Sequence, residues 1–301
     1  MEKYYDEDNQ IIYNCDNLDL LKYLESNSID LIYCDILYNT GKVFDDYNDN
    51  IGDTDYAVNW YKKRIVEMKR VLKDNGSIFL HCNWRLDSYM RILMDEIFSP
   101  SCFRNRIYRR HSKERGFYRN FDSQVDIILY YVKDPANFTF NEIKSETEKV
   151  TPLFENGYIK ERSKSVNFNG TIVDFKKLNK HYLVSKKELM RLYKNNEVVL
   201  IDNLPYRRSF IEFVGNLWDS EEMLDNYSRN KVSDTYDTPK PEAVVEKIIK
   251  TCSNEGDTIA DFFLGGGTTA VVAKKLNRKG IYCDINKKAC DVTIRKLKEI
   301  Q

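Results

Sequence analysis

The stretch TIADFFLGGGTTAVVAKKLNRKGIYCDIN, Thr258 to Asn286, constrains the fold more than any other. It reads as a short buried strand, a bend of three glycines, a helix, and a second strand closed by Asp284, a βαβ unit of about 30 residues. Parallel strands joined in this way belong to a sheet covered by helices, and hence to an α/β architecture. The same rhythm runs through the N-terminal part. IIYN (11 to 14) is a strand, LDLLKYLES a helix with Leu18, Leu21 and Leu24 on one face, and IDLIYCD (29 to 35) a strand buried on both sides. A helix from about Asp55 to Leu72, a turn at DNG, the strand SIFLHC (77 to 82) and the helix DSYMRILMDEIF come next.

From about Pro135 to Asn216 the pattern changes to a polar stretch rich in Lys, Asn and Tyr, with β-like runs NFTF and GTIVDF and a helix near SKKELMRLYK. It reads as an insertion. The helical pattern returns at PEAVVEKIIKTC, with proline at its first turn. The expected organisation is one half-domain over 1–135, an inserted region over 136–215 and a second half-domain over 216–301.

Lys plus Arg and Asp plus Glu both total 47 in 301 residues, so no global field marks a nucleic-acid or membrane binder. The charge is segregated instead. Acids far outnumber bases from Met1 to Asn59, whereas CFRNRIYRRHSKERGFYRN (102 to 120) sets Arg104, Arg106, Arg109, Arg110, Lys113, Arg115 and Arg119 against Glu114 alone. The seven cysteines include no CxxC pair and the three histidines lack metal-ligand spacing, which points to buried reduced thiols and no metal. MEKYYDEDNQ has no apolar leader and no stretch nears the roughly 20 apolar residues of a membrane span, so the expectation is a cytoplasmic protein.

Gly265, Gly266 and Gly267 let a ligand approach the backbone at a helix N-terminus, and Asp284 can hold the two hydroxyls of a ribose. The spacing is neither GxGxxG nor a P-loop, which disfavours NAD and ATP. At the end of a buried strand, CDILYNTG (34 to 41) gathers an acid, a tyrosine and an asparagine.

DFFLGGGTTAVVAKKLNRKGIYCDIN resembles the S-adenosylmethionine-binding motif of amino-group DNA methyltransferases, TPKPEAVVEKIIKTCSNEGD their TQKPE segment, and CDILYNTG their catalytic Asp-Pro-Pro-Tyr-Asn-Thr motif. LHCNWRLDSYMRILMDEIF and FDSQVDIILYYVKD are similar to the segments that follow it. With the catalytic motif N-terminal to the cofactor motif, the order is that of the permuted β class, which includes type III modification subunits. The resemblance implies a Rossmann-like, doubly wound, mostly parallel sheet, circularly permuted, with an inserted target-recognition region. It implies catalytic roles for Asp35, Ile36 and Tyr38. Asp16, Asp35, Thr238, Lys240, Asp261, Phe263, Gly265, Gly267, Thr268 and Asp284 would bind S-adenosylmethionine. Asn39, Arg104, Arg106, Arg109, Arg110, Lys113 and Arg115 would meet DNA.

For Asp16 and Lys240, a helix-cap acid and a solvated lysine are the alternative readings. An aspartate at position 35 favours adenine N6 over cytosine N4. An inactive cofactor-binding homologue and an RNA methyltransferase stay open. A homodimer and a restriction subunit are the implied protein partners. Ile36 and Leu37 depart from the motif's two prolines, and Phe262 and Gly266 from its proline and serine.

Overall fold

The structure is a computed structural model that describes residues 1–43, 48–110, 123–212, 215–220 and 240–300. Strands β1 (Tyr5–Glu7) and β2 (Gln10–Asn14) form a hairpin, followed by α1 (Asn17–Tyr23), β3 (Ile29–Asp35), α2 (Thr54–Val71), β4 (Leu72–Cys82), α3 (Asp87–Phe98), β5 (Phe103–Arg110) and β6 (Val125–Val132). Side-chain caps start the helices where the sequence supplies a short polar acceptor. Asp16 accepts from Leu18 N ahead of α1 and Asp53 from Tyr56 N ahead of α2. In α1 the buried leucines are Leu20 and Leu21, with Leu18 and Leu24 only partly covered. The DNG sequence is not a turn between elements. β4 runs through it, pairing Leu72 with Ile29 and then Ser77 with Leu31, so the extra residues bulge out of the ladder. Gly76 passes Asp30 where a Cβ would stand 2.8 Å from the Asp30 carbonyl oxygen.

A second compact unit, Glu142–Val214, holds β7 (Ile143–Pro152), β8 (Phe154–Asn156), β9 (Ser165–Phe168), β10 (Thr171–Asp174), β11 (Lys180–Tyr182), α4 (Lys186–Lys194), β12 (Val198–Ile201) and β13 (Leu204–Glu212). Its own core gathers Leu153, Val166, Phe168, Phe175, Tyr182 and Leu189. NFTF (137–140) precedes it without becoming a strand, because Thr139 N donates to Asn75 O and the Asn141 side chain to the Lys250 and Ser253 carbonyls, which leaves no ladder partner.

The first unit, Met1–Asn141 with Gly215–Gln301, closes with β14 (Leu217–Trp218), α5 (Glu242–Cys252), β15 (Thr258–Asp261), α6 (Thr268–Lys275), β16 (Lys279–Asp284) and α7 (Lys287–Glu299). Among the described residues its sheet has nine strands in the order β1-β2-β16-β15-β3-β4-β6-β5-β14. The run from β2 to β4 is parallel, and β6 lies antiparallel to both β4 and β5. Leu31, Ile32 and Cys34 of β3 are fully buried, and the two aliphatic side chains contribute about 1.5–3 kcal/mol each. The chain leaves β15 toward β16 on one side and β3 toward β4 on the other. The carboxyl ends of β15 and β3 therefore flank a switch point, where doubly wound sheets bind ligands.

Candidate functional site

Asp35 ends β3, and its two oxygens have different company. Oδ1 accepts the Tyr38 hydroxyl at 3.1 Å, while Oδ2 lies 2.6 Å from the Lys240 ammonium. Burial would lower the Lys240 pKa, but the charges of Asp35 and Asp126 outweigh it and hold the ammonium protonated. The Tyr38 ring lies 5.3 Å from the Lys240 Nζ, and burial followed by the Asp35 charge pushes its hydroxyl well up.

The loop beyond Asp35 is rigid without prolines. Ile36 N donates to His81 O at 3.1 Å, a bond a proline could not make, and its side chain is buried. Tyr61 donates its hydroxyl to Leu37 O at 2.7 Å. Asp49, 2% exposed, then accepts the backbone N–H groups of Tyr38 at 2.7 Å, Asn39 at 3.1 Å and Thr40 at 2.9 Å, together with the Thr40 hydroxyl. Asn39 sits in the left-handed region at φ 51°. Its side chain, expected at DNA, braces the loop instead: Nδ2 donates to Gly52 O and Oδ1 accepts Ile51 N.

Across the switch point, the glycine turn bends through φ 49° at Gly265 and 78° at Gly267, conformations open to glycine. A Cβ on Gly267 would stand 2.2 Å from Thr293 Oγ1. Asp284 accepts Gly265 N and Asn286 N, both at 2.8 Å, and burial raises its pKa against those bonds. Asp261, expected among the cofactor contacts, is 2% exposed and turned inward, with Oδ1 accepting Phe263 N and Oδ2 the Thr269 hydroxyl. It shapes the turn. Burial, aided by the Asp35 and Asp284 charges, pushes its pKa up to about 7. Phe263 is partly buried beside Trp60 and Tyr61.

Asp16 caps α1 and also accepts from one nitrogen of buried Arg64, whose Nη2 lies 3.0 and 2.9 Å from the two carboxylate oxygens. Lys240 joins the two halves, for its carbonyl accepts the Thr268 hydroxyl at 3.2 Å while its ammonium holds Asp35. The reading of Lys240 as a solvated lysine is thereby corrected. Thr238, Lys113 and Arg115 lie outside the described residues.

The basic run divides by strand alternation. On β5 the even positions Arg104, Arg106 and Arg110 are partly or fully exposed, whereas Arg109 is 0% exposed. Arg109 is therefore no surface phosphate contact. It faces into the site, where its charge helps hold Asp126 ionised. Arg106 pairs with Asp87 at 3.4 Å. Three residues near Asp35 escaped sequence reading: Asp49, His81 and Asp126. His81 is fully buried, and its Nδ1 lies 2.9 Å from Tyr33 Oη and 3.9 Å from Asp35 Oδ1, with Nε2 3.5 Å from Asp126. The continuous apolar runs SIFLHC and VDIILYYV could have flagged His81 and Asp126 as polar groups placed in covered strands. Among the described residues, no cluster of His, Cys, Asp or Glu is disposed to hold a metal, and no helix is long and apolar enough to cross a membrane. All seven cysteines are free thiols, six of them buried.

A parallel sheet with a glycine turn and an acid-tipped strand on one side of its switch point, and an Asp-x-x-Tyr loop on the other, defines the methyltransferase type of doubly wound fold. The family model described as DNA methylase (N6/N4 type) matches residues 29–295, and the chain belongs to that family: it is a DNA methyltransferase of the N6/N4 family. It is 28% identical over 284 residues to the type II methyltransferase M.HpaI of Haemophilus parainfluenzae, covering 94% of this chain and 73% of that protein. It is 27% identical to the DNA adenine methyltransferase YhdJ of Escherichia coli K12, covering 95% of this chain and 82% of the relative. Among solved structures, the M1.HpyAVI–SAM complex aligns with a TM-score of 0.54 at 18% identity, over 96% of this chain and 98% of that one. The putative DNA modification methylase TTHA0409 of Thermus thermophilus, complexed with S-adenosyl-L-methionine, aligns at 0.56 and 14%, over 96% and 93%.

Proposed function

We propose that the chain transfers the methyl group of S-adenosylmethionine to the exocyclic 6-amino group of an adenine flipped out of duplex DNA. The observation that carries this reading is the Lys240 ammonium on Asp35 Oδ2: a nitrogen donor reaches that oxygen at 2.6 Å from the side of the glycine turn.

The residues fit a nucleoside cofactor of this class. Gly265 and Gly267 leave the turn bare of side chains at the start of α6, Asp284 presents a carboxylate whose remaining lone pairs suit ribose hydroxyls, and Phe263 offers an aromatic wall. Thr268, Lys240, Thr238 and Asp16 complete the set that would hold it, with Asp261 keeping the turn in shape. When bound, S-adenosylmethionine supplies an electrophilic sulfonium methyl. An adenine amine is a poor nucleophile because its lone pair is delocalised into the ring. Asp35 Oδ2 and the Ile36 carbonyl accept its two N–H bonds and bias the nitrogen toward a tetrahedral geometry. Tyr38 stacks on the base, worth about 1–3 kcal/mol, which offsets much of the few kcal/mol spent on flipping.

Adenine over cytosine rests on Asp35 and on similarity to the adenine methyltransferase YhdJ. The cytosine-N4 reading has its own support, since the PvuII cytosine-N4-specific DNA methyltransferase aligns with a TM-score of 0.55. Arg104, Arg106 and Arg110 are assigned to DNA phosphates, and the unit Glu142–Val214 to target recognition. Bacterial cytoplasm, a homodimer and a restriction subunit complete the reading. The last draws on similarity to the StyLTI Mod subunit of Salmonella typhimurium, of whose length this chain spans 53%.

The test uses methyl-labelled S-adenosylmethionine with unmethylated duplex DNA, single-stranded DNA and RNA, followed by digestion to nucleosides. Label in N6-methyladenine with wild type and none with Asp35→Ala is the expected result. Label in N4-methylcytosine, label on RNA alone, or equal labelling by Asp35→Ala overturns it.

A further inference from the structure

Tyr33, Asp35, His81 and Asp126 share one face of the central sheet. His81 of β4 is in register with Asp35 of β3 on one side and with Ile128 of β6 on the other. Tyr33 and Asp126 each lie two positions along from those partners, so all four side chains project the same way. His81 Nδ1 is hydrogen-bonded to Tyr33 Oη at 2.9 Å, while the carboxylates approach the ring at longer, electrostatic range, Asp126 Oδ2 at 3.5 Å from Nε2 and Asp35 Oδ1 at 3.9 Å from Nδ1.

Only one distribution of protons suits this arrangement. Burial lowers the His81 pKa, so the ring is neutral and carries a single N–H. Asp126 is ionised: burial opposes the charge, but the polar N–H of the facing His81 ring and the charges of Lys240 and Arg109 hold it below the usual carboxylate range. A carboxylate facing Nε2 draws the proton there, since the partner of one ring nitrogen fixes the state of the other. Nδ1 is then an acceptor, and the Tyr33 hydroxyl donates to it. Asp35 Oδ1, 3.9 Å away, meets a lone pair and no competing donor. It keeps the Tyr38 hydroxyl, which leaves Oδ2 turned toward Lys240.

We propose that Asp126, acting through the tautomer of His81, is a positioning residue that fixes which oxygen of Asp35 meets the target amine. This rests on the methyl-transfer reading above. With Asp126 neutralised, the proton is free to move to Nδ1, where it points into the gap toward Asp35 Oδ1 and competes with Tyr38. The carboxylate then rotates away from the substrate side. Asp126, His81 and Tyr33 make no contact with the glycine turn or Asp284, and Lys240 keeps its carbonyl bond to Thr268, so the change in the cofactor's affinity is small beside the change in turnover.

The experiment has two arms. In the first, imidazole nitrogen shifts are recorded on uniformly 15N-labelled full-length protein, with the His81 signals assigned through His81→Gln. The expected wild-type state is a neutral ring protonated at Nε2, and Asp126→Asn moves the proton to Nδ1. A wild-type ring protonated at Nδ1 overturns the proposal, and this holds even where Asp126→Asn does not fold. The second arm measures steady-state labelling of unmethylated DNA. Asp126→Asn loses at least about tenfold in kcat with the KM for S-adenosylmethionine within about twofold, the signature of an interaction made in the transition state. His81→Gln, which can still donate to Asp126 and places no proton at the Nδ1 side, retains more activity than Asp126→Asn. Unchanged kcat in Asp126→Asn, or a matching rise in KM, overturns the proposal. A wild type that labels no DNA sinks the methyl-transfer reading instead, leaving the tautomer result to be judged separately.

Discussion

Replacing Asp49 with alanine removes the anchor of the loop that carries Tyr38. The carboxylate receives three backbone N–H groups at 2.7, 3.1 and 2.9 Å as well as the Thr40 hydroxyl. Hydrogen bonds to a charged acceptor contribute about 1.5–3 kcal/mol each. Residues 38–40 are only partly buried, so water replaces a share of them once the carboxylate is gone. A net loss of about 3–4 kcal/mol follows, concentrated in the loop, because Ile36 and Leu37 keep their own bonds to His81 and Tyr61. At about 1.4 kcal/mol per decade, amide hydrogen exchange at residues 38–40 should quicken by two to three orders of magnitude. Exchange in β3 stays at the wild-type rate, and kcat for DNA methylation falls by tenfold or more. Asp49→Asn lies between the two, since its amide keeps one acceptor but turns an N–H toward backbone donors. Wild-type protection of these three amides together with wild-type turnover in Asp49→Ala would refute the view that Asp49 replaces the rigidity of the missing prolines.

The other expectations concern charge. Asp261 is buried and its pKa rises from 3.8 to about 7, so the folded state holds the proton more tightly than the unfolded one. Its contribution to stability is complete below about pH 4 and is lost as the pH climbs through 7, at about 1.4 kcal/mol per unit and roughly 4 kcal/mol in all. Asp261→Asn should flatten that part of the profile in urea titrations at stepped pH; parallel curves for the two proteins would count against it. Arg110→Ala should weaken DNA binding and lower the salt slope by about 1 without moving the melting temperature. Arg109→Ala should lower the melting temperature, because it removes a fully buried guanidinium whose charge, with that of Lys240, helps hold Asp126 ionised. The reverse pattern, with Arg109→Ala stable and weak on DNA, would place the wrong arginine at the surface.

Features carried by residue type and spacing were legible in the sequence: the glycine turn, Asp284, Asp35 and the strands that bear them. Features carried by direction were not. The basic run looks uniform as text, yet strand alternation sends Arg109 inward and leaves Arg110 outside. Asp49, His81 and Asp126 are single residues whose meaning depends on partners brought near by the sheet. Lys240 could be read as a solvated lysine until Asp35 was found 2.6 Å from its ammonium. The DNG sequence carries turn chemistry, but the ladder with β3 absorbs it as a bulge, because pairing on both sides of it outweighs the local preference.

The strand order also bears on how such a chain is made. β2 and β3 are successive in sequence but lie apart in the sheet, and the two positions between them belong to β16 and β15. On a ribosome, every residue up to Asp284 must emerge before those central places are filled. Until then β2 and β3 each present an open edge of unpaired backbone, the kind of surface that invites wrong pairing. The half of the molecule made first therefore waits on the half made last, and a chaperone or slow release would matter more here than for a sheet built in order from one end.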